Sequence, residues 1–102
     1  MLNIAVLVSG GGTNLQAILD AQARGEIPRG RVSLVVASRP GVYALERAEK
    51  AGVPGVVVRR KDYESSEAFD AALLNVLKDN HIDLVVLAGF LSILGPSVIA
   101  AY

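Results

Sequence analysis

The stretch Ile4-Ala5-Val6-Leu7-Val8-Ser9-Gly10-Gly11-Gly12-Thr13-Asn14-Leu15-Gln16 decides the fold. Its first five residues are all apolar and lack the polar alternation of a half-exposed strand, so they read as a strand buried on both faces of a parallel sheet. Three glycines then turn the chain. Thr13-x-x-Gln16 has the form of a capping box, opening a helix whose apolar face is Leu15, Ile18 and Leu19 and which stops at Gly25. Strand, glycine turn and helix make the first half of a βα unit.

The same alternation continues outward. Val32 to Ala37, Val56 to Val58 and Ile82 to Leu87 are further short, near-continuous apolar runs, so four strands buried on both faces are expected. Between them, Tyr43-Ala44-Leu45 and Ala48 continue to Ala51, with Gly52 in the C′ position. Phe69, Ala72, Leu73, Val76 and Leu77 keep the spacing of one helical face, entered through Ser65 or Ser66 and left at Asn80. Pro96 sits where a last helix begins, with Ser97 to Tyr102 as its opening turns and Tyr102 as a packing residue. The order βαβαβαβα predicts an α/β fold: an open, doubly wound, Rossmann-like parallel sheet with strand order 3-2-1-4. In that order the winding reverses between strands 1 and 4, and ligands of such sheets bind at the carboxyl ends of the strands flanking the reversal. Two loops are thereby nominated, Ser9 to Asn14 and Ala88 to Leu94.

Composition narrows the function. At 102 residues the chain is one domain, spanning 1–102. Ten Lys/Arg balance ten Asp/Glu, so there is no overall basic footprint for a nucleic acid. The absence of Cys excludes disulfides and thiolate metal sites, and no metal is expected. No apolar run approaches the ~18 residues of a membrane span, and Met1 runs into the first strand without a charged leader; a cytoplasmic protein is expected.

Ser9 to Asn14 carries the chemistry. Glycines between a strand and a helix let successive N–H groups approach a ligand, and the helix N-terminus adds partial positive charge. The segment reads as an anion site, most simply for a phosphate, with the Thr13 hydroxyl and Asn14 amide as further donors. The plainer alternative is a tight βα turn with Thr13 as an ordinary N-cap. No Gly-Lys-Ser/Thr ending is present, so this is not a Walker loop. Gly10 and Gly12 match the start of a dinucleotide fingerprint, but Leu15 replaces the third glycine and strand 2 ends in Ser38-Arg39 instead of an acid. A nicotinamide-binding domain is the weaker reading, with Arg39 the one residue suited to a 2′-phosphate.

Together with Tyr43-Ala44-Leu45-Glu46-Arg47-Ala48 and Asp83-Leu84-Val85-Val86-Leu87-Ala88-Gly89-Phe90, the opening stretch resembles the N-terminal half of the phosphoribosylglycinamide formyltransferase family, folate-dependent enzymes of purine biosynthesis. The resemblance runs through all 102 residues. It implies formyl transfer from 10-formyltetrahydrofolate, as co-substrate, to the amine of glycinamide ribonucleotide. It places the substrate phosphate at Gly11, Gly12, Thr13 and Asn14, and the folate along Leu87, Ala88, Gly89, Phe90, Leu91, Ile93, Leu94, Val98 and Ile99. Many members carry arginines suited to the folate glutamate where this chain has Ser66 and Ser92. The family's catalytic Asn and His, which stabilise the oxyanion, and its Asp, which handles protons, correspond to positions beyond Tyr102. No catalytic residue is therefore assigned here, the catalytic C-terminal part is expected to be absent, and the 102 residues alone are expected to be inactive.

Other polar residues read plainly. His81 falls at the opposite end of the sheet from the crevice, as a surface or capping residue. Glu46, Arg47, Glu49 and Lys50 read as a solvated helix face, and Arg59-Arg60-Lys61-Asp62 as a charged loop. Strand 82–87 lacks a neighbour on its outer side, which predicts a homo-oligomer through that edge. The competing function is a phosphate-binding or assembly half-domain without catalysis.

Overall fold

The computed structural model describes residues 1–92 and 94–102; Ile93 lies outside the described residues. Strand β1 (Leu2–Val8) is the centre of the molecule, followed by α1 (Thr13–Ala23), β2 (Gly30–Ala37), α2 (Tyr43–Lys50), β3 (Gly55–Val57), a 3-10 turn at Arg60–Asp62, α3 (Ser66–Asp79), β4 (Leu84–Leu87) and α4 (Pro96–Ala101). All pairings are parallel and the strand order is β3-β2-β1-β4, as the alternation predicts.

Side-chain alternation along β1 splits the core in two. Ile4, Val6 and Val8 face Leu15, Leu19, Ala44 and Ala48 of α1 and α2. Ala5 and Leu7 face Phe69, Leu73 and Leu77 of α3 and Val98 of α4. One irregularity keeps this division consistent: Ile4 pairs with Val32 but Ala5 pairs with Leu34, so Ser33 is the extra residue of a bulge. Without it, Leu34 and Val36 would point to the wrong face. The Ser33 hydroxyl is buried there without a partner.

Burial on both faces holds for β1 and β2 but not for the outer strands. Val57, Leu84 and Leu87 are exposed, because an edge strand has a neighbour on one side only and the helices cover the middle of the sheet. Two boundaries also shift. Ile82 is buried but precedes β4, which starts at Leu84, and β3 is one residue earlier than the apolar run suggests, although the Val58 N–H still donates to Ala37 O (2.9 Å).

Helix ends follow local chemistry. Gly25 and Gly52 take positive φ just past α1 and α2. For α3, Ser65 is the cap, its Oγ accepting from the Ala68 N–H (3.1 Å). Helix α4 has Pro96 in its first turn, and its open end is closed from another element. The buried Asp70 of α3 accepts from the Ser97 and Val98 N–H groups (3.0 and 3.2 Å). Burial pushes this carboxyl up, but the bonds from Ser97 and Val98 outweigh it and hold Asp70 below the usual range. Gly95 lies so close that a Cβ there would overlap the Asp70 carboxyl carbon.

The capping box does not form. Gly12, not Thr13, is the N-cap of α1, in the left-handed region (φ 80°), and no side chain bonds to the helix end. Gln16 instead donates from Nε2 to Asp20 Oδ1 (2.9 Å) and accepts from Arg47. With the turn made by glycine backbone, Thr13 has already entered the helix and its hydroxyl cannot reach back to cap it.

Candidate functional site

The glycine loop is shaped by contacts with α2. At Gly12 a Cβ would stand 2.7 Å from the Ala44 Cβ, so the left-handed turn and the close approach of loop to helix both need glycine. Arg47, expected on a solvated face, lies instead under the loop: Nε donates to Gly11 O (2.7 Å), Nη1 to Gln16 Oε1 (3.1 Å), and the guanidinium carbon sits 4.7 Å from the Tyr43 ring centroid. Gly10 and Gly11, by contrast, have nothing within 4 Å of where a Cβ would stand. Thr13 and Asn14 are exposed beside them. Because α1 has no side-chain cap, the N–H groups of its first turn have neither helical partners nor a capping side chain. Phosphate, carboxylate or another small anion is what such an arrangement can hold.

Ser9 ties the crevice together. It is buried, its Oγ lies 2.6 Å from Ser38 Oγ and accepts from the Leu91 N–H (2.8 Å), and its carbonyl accepts from Arg39 Nε and Nη2 (3.0 and 2.7 Å). The segments following β1, β2 and β4 therefore meet at one residue. The two loops nominated from strand order are adjacent, joined by the Ser9–Leu91 bond. Sequence reading placed Ser9 in a nominated loop without its tying role, and did not assign the roles of Ser38, Arg39 and Arg47. The only signal was polarity at the ends of two apolar strands, where a buried serine needs partners.

The residues expected to line a folate site separate into kinds. Leu87 and Ile99 are exposed, while Val98 is buried in the α3–α4 core; the three line a cavity of about 190 Å³ with Leu94 and Val85. Leu91, 81% exposed, and Leu94 line a second cavity of about 560 Å³. Ser66 and Ser92, the positions departing from the resembled pattern, lie on its wall beside Phe69. Ala88 is buried against the first core, Gly89 makes a turn at φ 75°, and Phe90 packs on the second core. Ile93 lies outside the described residues.

Three further expectations meet the structure differently. Arg59 to Asp62 is not merely a solvated loop: Arg60 to Asp62 forms the 3-10 turn, and Arg59, Arg60 and Lys61 line a cavity of about 500 Å³ at the crevice. His81 is exposed at the far end of the sheet, following α3 at φ 55°, with its carbonyl accepting from Asn3 Nδ2 (3.0 Å). Tyr102 follows α4, and its hydroxyl donates to Ile82 O (2.9 Å). Among the described residues no group of three or more His, Asp or Glu is gathered as a metal cage requires, and no helix is long and apolar enough to cross a membrane.

Comparison with known proteins matches residues 2–102 to the model of the family described as formyl transferase. Phosphoribosylglycinamide formyltransferase of Haemophilus influenzae is 42% identical over 96 residues, covering 94% of this chain and 45% of that protein. The trifunctional purine biosynthetic protein adenosine-3 of Drosophila melanogaster is 46% identical over 94 residues, 89% of this chain and 7% of its own. Among solved structures, glycinamide ribonucleotide transformylase 1 from Symbiobacterium toebii superposes with a TM-score of 0.94 at 46% identity, over 100% of this chain and 48% of that one. The chain thus spans about half the length of the single-function relative and under a tenth of the trifunctional one.

Proposed function

The chain belongs to the formyl transferase family, and from that premise we propose that it forms the substrate-phosphate loop and one wall of the folate pocket of a glycinamide ribonucleotide formyltransferase. The reaction is transfer of the formyl group of 10-formyltetrahydrofolate to the substrate amine, in the cytoplasm, as a step of purine biosynthesis. The observation that carries this reading is the uncapped N-terminus of α1 beneath the open faces of Gly10 and Gly11, tied through Ser9 to the loop at Leu91.

Gly11 and Gly12 offer backbone N–H groups to the phosphate, with the side chains of Thr13 and Asn14 as further donors. The apolar surface of Leu87, Leu91, Leu94, Val98 and Ile99, with the backbone of Ala88, Gly89 and Phe90, faces the folate. Amine and formyl carbon then meet between the two loops, where a tetrahedral oxyanion forms before the folate nitrogen leaves. No imidazole is near that point among the described residues, since His81 lies at the opposite end of the sheet. This chain's contribution is to bind and orient.

Two measurements test the reading. Titration of the full-length, isotope-labelled protein with ribose 5-phosphate is expected to shift the amides of Gly11, Gly12, Thr13 and Asn14. Shifts confined to Arg59–Lys61 would overturn the loop assignment. Residues 1–102 alone, given 10-formyltetrahydrofolate and glycinamide ribonucleotide, are expected to show no turnover; turnover lost in His81→Ala would place the imidazole in the chemistry and refute its assignment to the surface.

A further inference from the structure

Arg47 of α2 directs its charge at the backbone of the glycine loop. Its Nε donates to Gly11 O (2.7 Å), and three contacts keep it there. Nη1 donates to Gln16 Oε1 (3.1 Å), the guanidinium carbon stands 4.7 Å from the Tyr43 ring centroid, and the stem passes Gly12, where a Cβ would come 3.3 Å from Arg47 Cδ. Gln16 is braced in turn, its Nε2 donating to Asp20 Oδ1 (2.9 Å) and leaving Oε1 for Arg47. Among the described residues no carboxylate pairs with Arg47, so this half-buried cation is held by neutral groups alone.

The Gly11–Gly12 peptide is trans, and a planar trans peptide carries its C=O and N–H in opposite directions. Drawing Gly11 O toward α2 therefore turns the Gly12 N–H away from α2, and that N–H enters none of the described hydrogen bonds. Because the carbonyl accepts from a cation, the same bond polarises the peptide and makes the Gly12 N–H a stronger donor. The loop uses this device twice: Ser9 O, in the peptide leading into Gly10, is held by Arg39 Nε and Nη2 (3.0 and 2.7 Å). A guanidinium behind the loop lends it positive charge without filling the open faces of Gly10 and Gly11.

Resting on the phosphate reading above, we propose that Arg47 is a positioning residue for the phosphate loop: it holds Gly11 O against α2 so that the Gly12 N–H meets the bound phosphate. Arg47 acts on the substrate only through that peptide. Its brace, Gln16, belongs to the same device one contact further back.

The test uses the full-length protein with Arg47→Met, which keeps an unbranched stem beside Gly12 and loses the guanidinium. Ribose 5-phosphate is expected to bind about tenfold more weakly, the worth of one hydrogen bond to a charged group. Pteroyl-monoglutamate should bind within about twofold of the parent, because the loop at Leu91 is untouched. In turnover, the KM for glycinamide ribonucleotide rises about tenfold while kcat stays within about threefold. The Gly12 amide resonance of the ligand-free protein moves as well, which a direct bond from Arg47 to the phosphate would not require. Arg47→Lys, which still donates to Gly11 O, recovers affinity to within about threefold of the parent, and Gln16→Ala, which removes only the brace, weakens it about threefold. The proposal is overturned by unchanged ribose 5-phosphate binding in Arg47→Met, by equal loss of both ligands, or by loss with the free-state Gly12 amide unmoved. It is also overturned by an equal loss in Arg29→Ala, which removes the same charge from an exposed site at the far end of the sheet. If Arg47→Met does not fold, Gln16→Ala decides, and parent-level affinity there overturns it. A parent that does not bind ribose 5-phosphate at Gly11 to Asn14 sinks the loop reading and this proposal together; a parent and an Arg47→Met that bind it equally sink the proposal alone.

Discussion

Helices α1 and α4 both begin near the carboxyl ends of the strands, and their N-termini are treated in opposite ways. That of α4 is closed by a buried side chain from a neighbouring helix, Asp70, which takes two of its backbone N–H groups. That of α1 is left open, with glycine in the cap position and empty space above Gly10 and Gly11. A helix end buried against the protein must be satisfied by the protein, because an unpaired buried N–H costs about 1–3 kcal/mol. One that faces a crevice keeps its donors for a ligand. The contrast between the two ends separates scaffold from site within a single fold.

The largest effect is expected where these roles overlap. Gly12→Val places a β-branched side chain at φ 80° and against Ala44, combining left-handed strain with overpacking, for a loss of about 3 kcal/mol and a fall in Tm of roughly 15 °C. Ribose 5-phosphate binding is lost with it. Gly11→Ala is the sharper probe, since its Cβ meets nothing within 4 Å. Its melting temperature should stay within about 2 °C of the parent, because surface changes of this kind cost under about 0.5 kcal/mol. Phosphate binding should still weaken severalfold. If both variants bind phosphate normally, the open end of α1 is not the site.

Closing the other helix end makes a second, smaller prediction. Asp70→Ala removes the acceptor for Ser97 and Val98 and is expected to cost about 2 kcal/mol, with loss of hydrogen-exchange protection in α4 before the sheet. A pH dependence accompanies it. The hydrogen bonds depress the Asp70 pKa in the folded state, so their stabilisation is complete above the ordinary carboxyl range near pH 4 and is lost as pH falls through the depressed value. Acid melts of parent and Asp70→Asn should therefore converge at low pH. Parallel curves across that window would mean that Asp70 does not act through its charge.

How much of this was legible in the residues depends on the kind of signal. Strand order and the two facing loops follow from apolar runs and glycine punctuation, which are local and periodic. The αL cap at Gly12 was misread as a Thr13 capping box because both produce the same pattern of small polar residues before a helix. Strand order marks 82–87 as an edge, but the exposure of Leu84 and Leu87 runs against the expected burial on both faces, because a parallel edge strand is composed like a central one. Arg47, Ser9 and Asp70 were out of reach for a different reason: their partners, Gly11, Leu91 and Ser97, are 36, 82 and 27 residues away, and nothing periodic links them. Long-range pairing of polar groups became visible only once the sheet had set the distances.

The smallest effect lies at the other end of the sheet, at a third helix terminus. After α3, His81 takes a left-handed φ of 55°, in a position where glycine is the common choice. Its backbone already makes the useful contacts, the N–H donating to Lys78 O (3.0 Å) and the carbonyl accepting from Asn3. Its side chain is exposed and makes none of the described hydrogen bonds. Replacing His81 by Gly relieves roughly 1–2 kcal/mol of left-handed strain and gives part of it back through the greater freedom of the unfolded chain. A net gain of about 0.5 kcal/mol is expected, or a Tm higher by roughly 3 °C. Ribose 5-phosphate and folate binding should not change, since neither loop of the crevice touches this end. A drop in stability would reveal that the imidazole contributes more than its backbone does, and a change in ligand binding would join two ends of the sheet that the structure keeps apart.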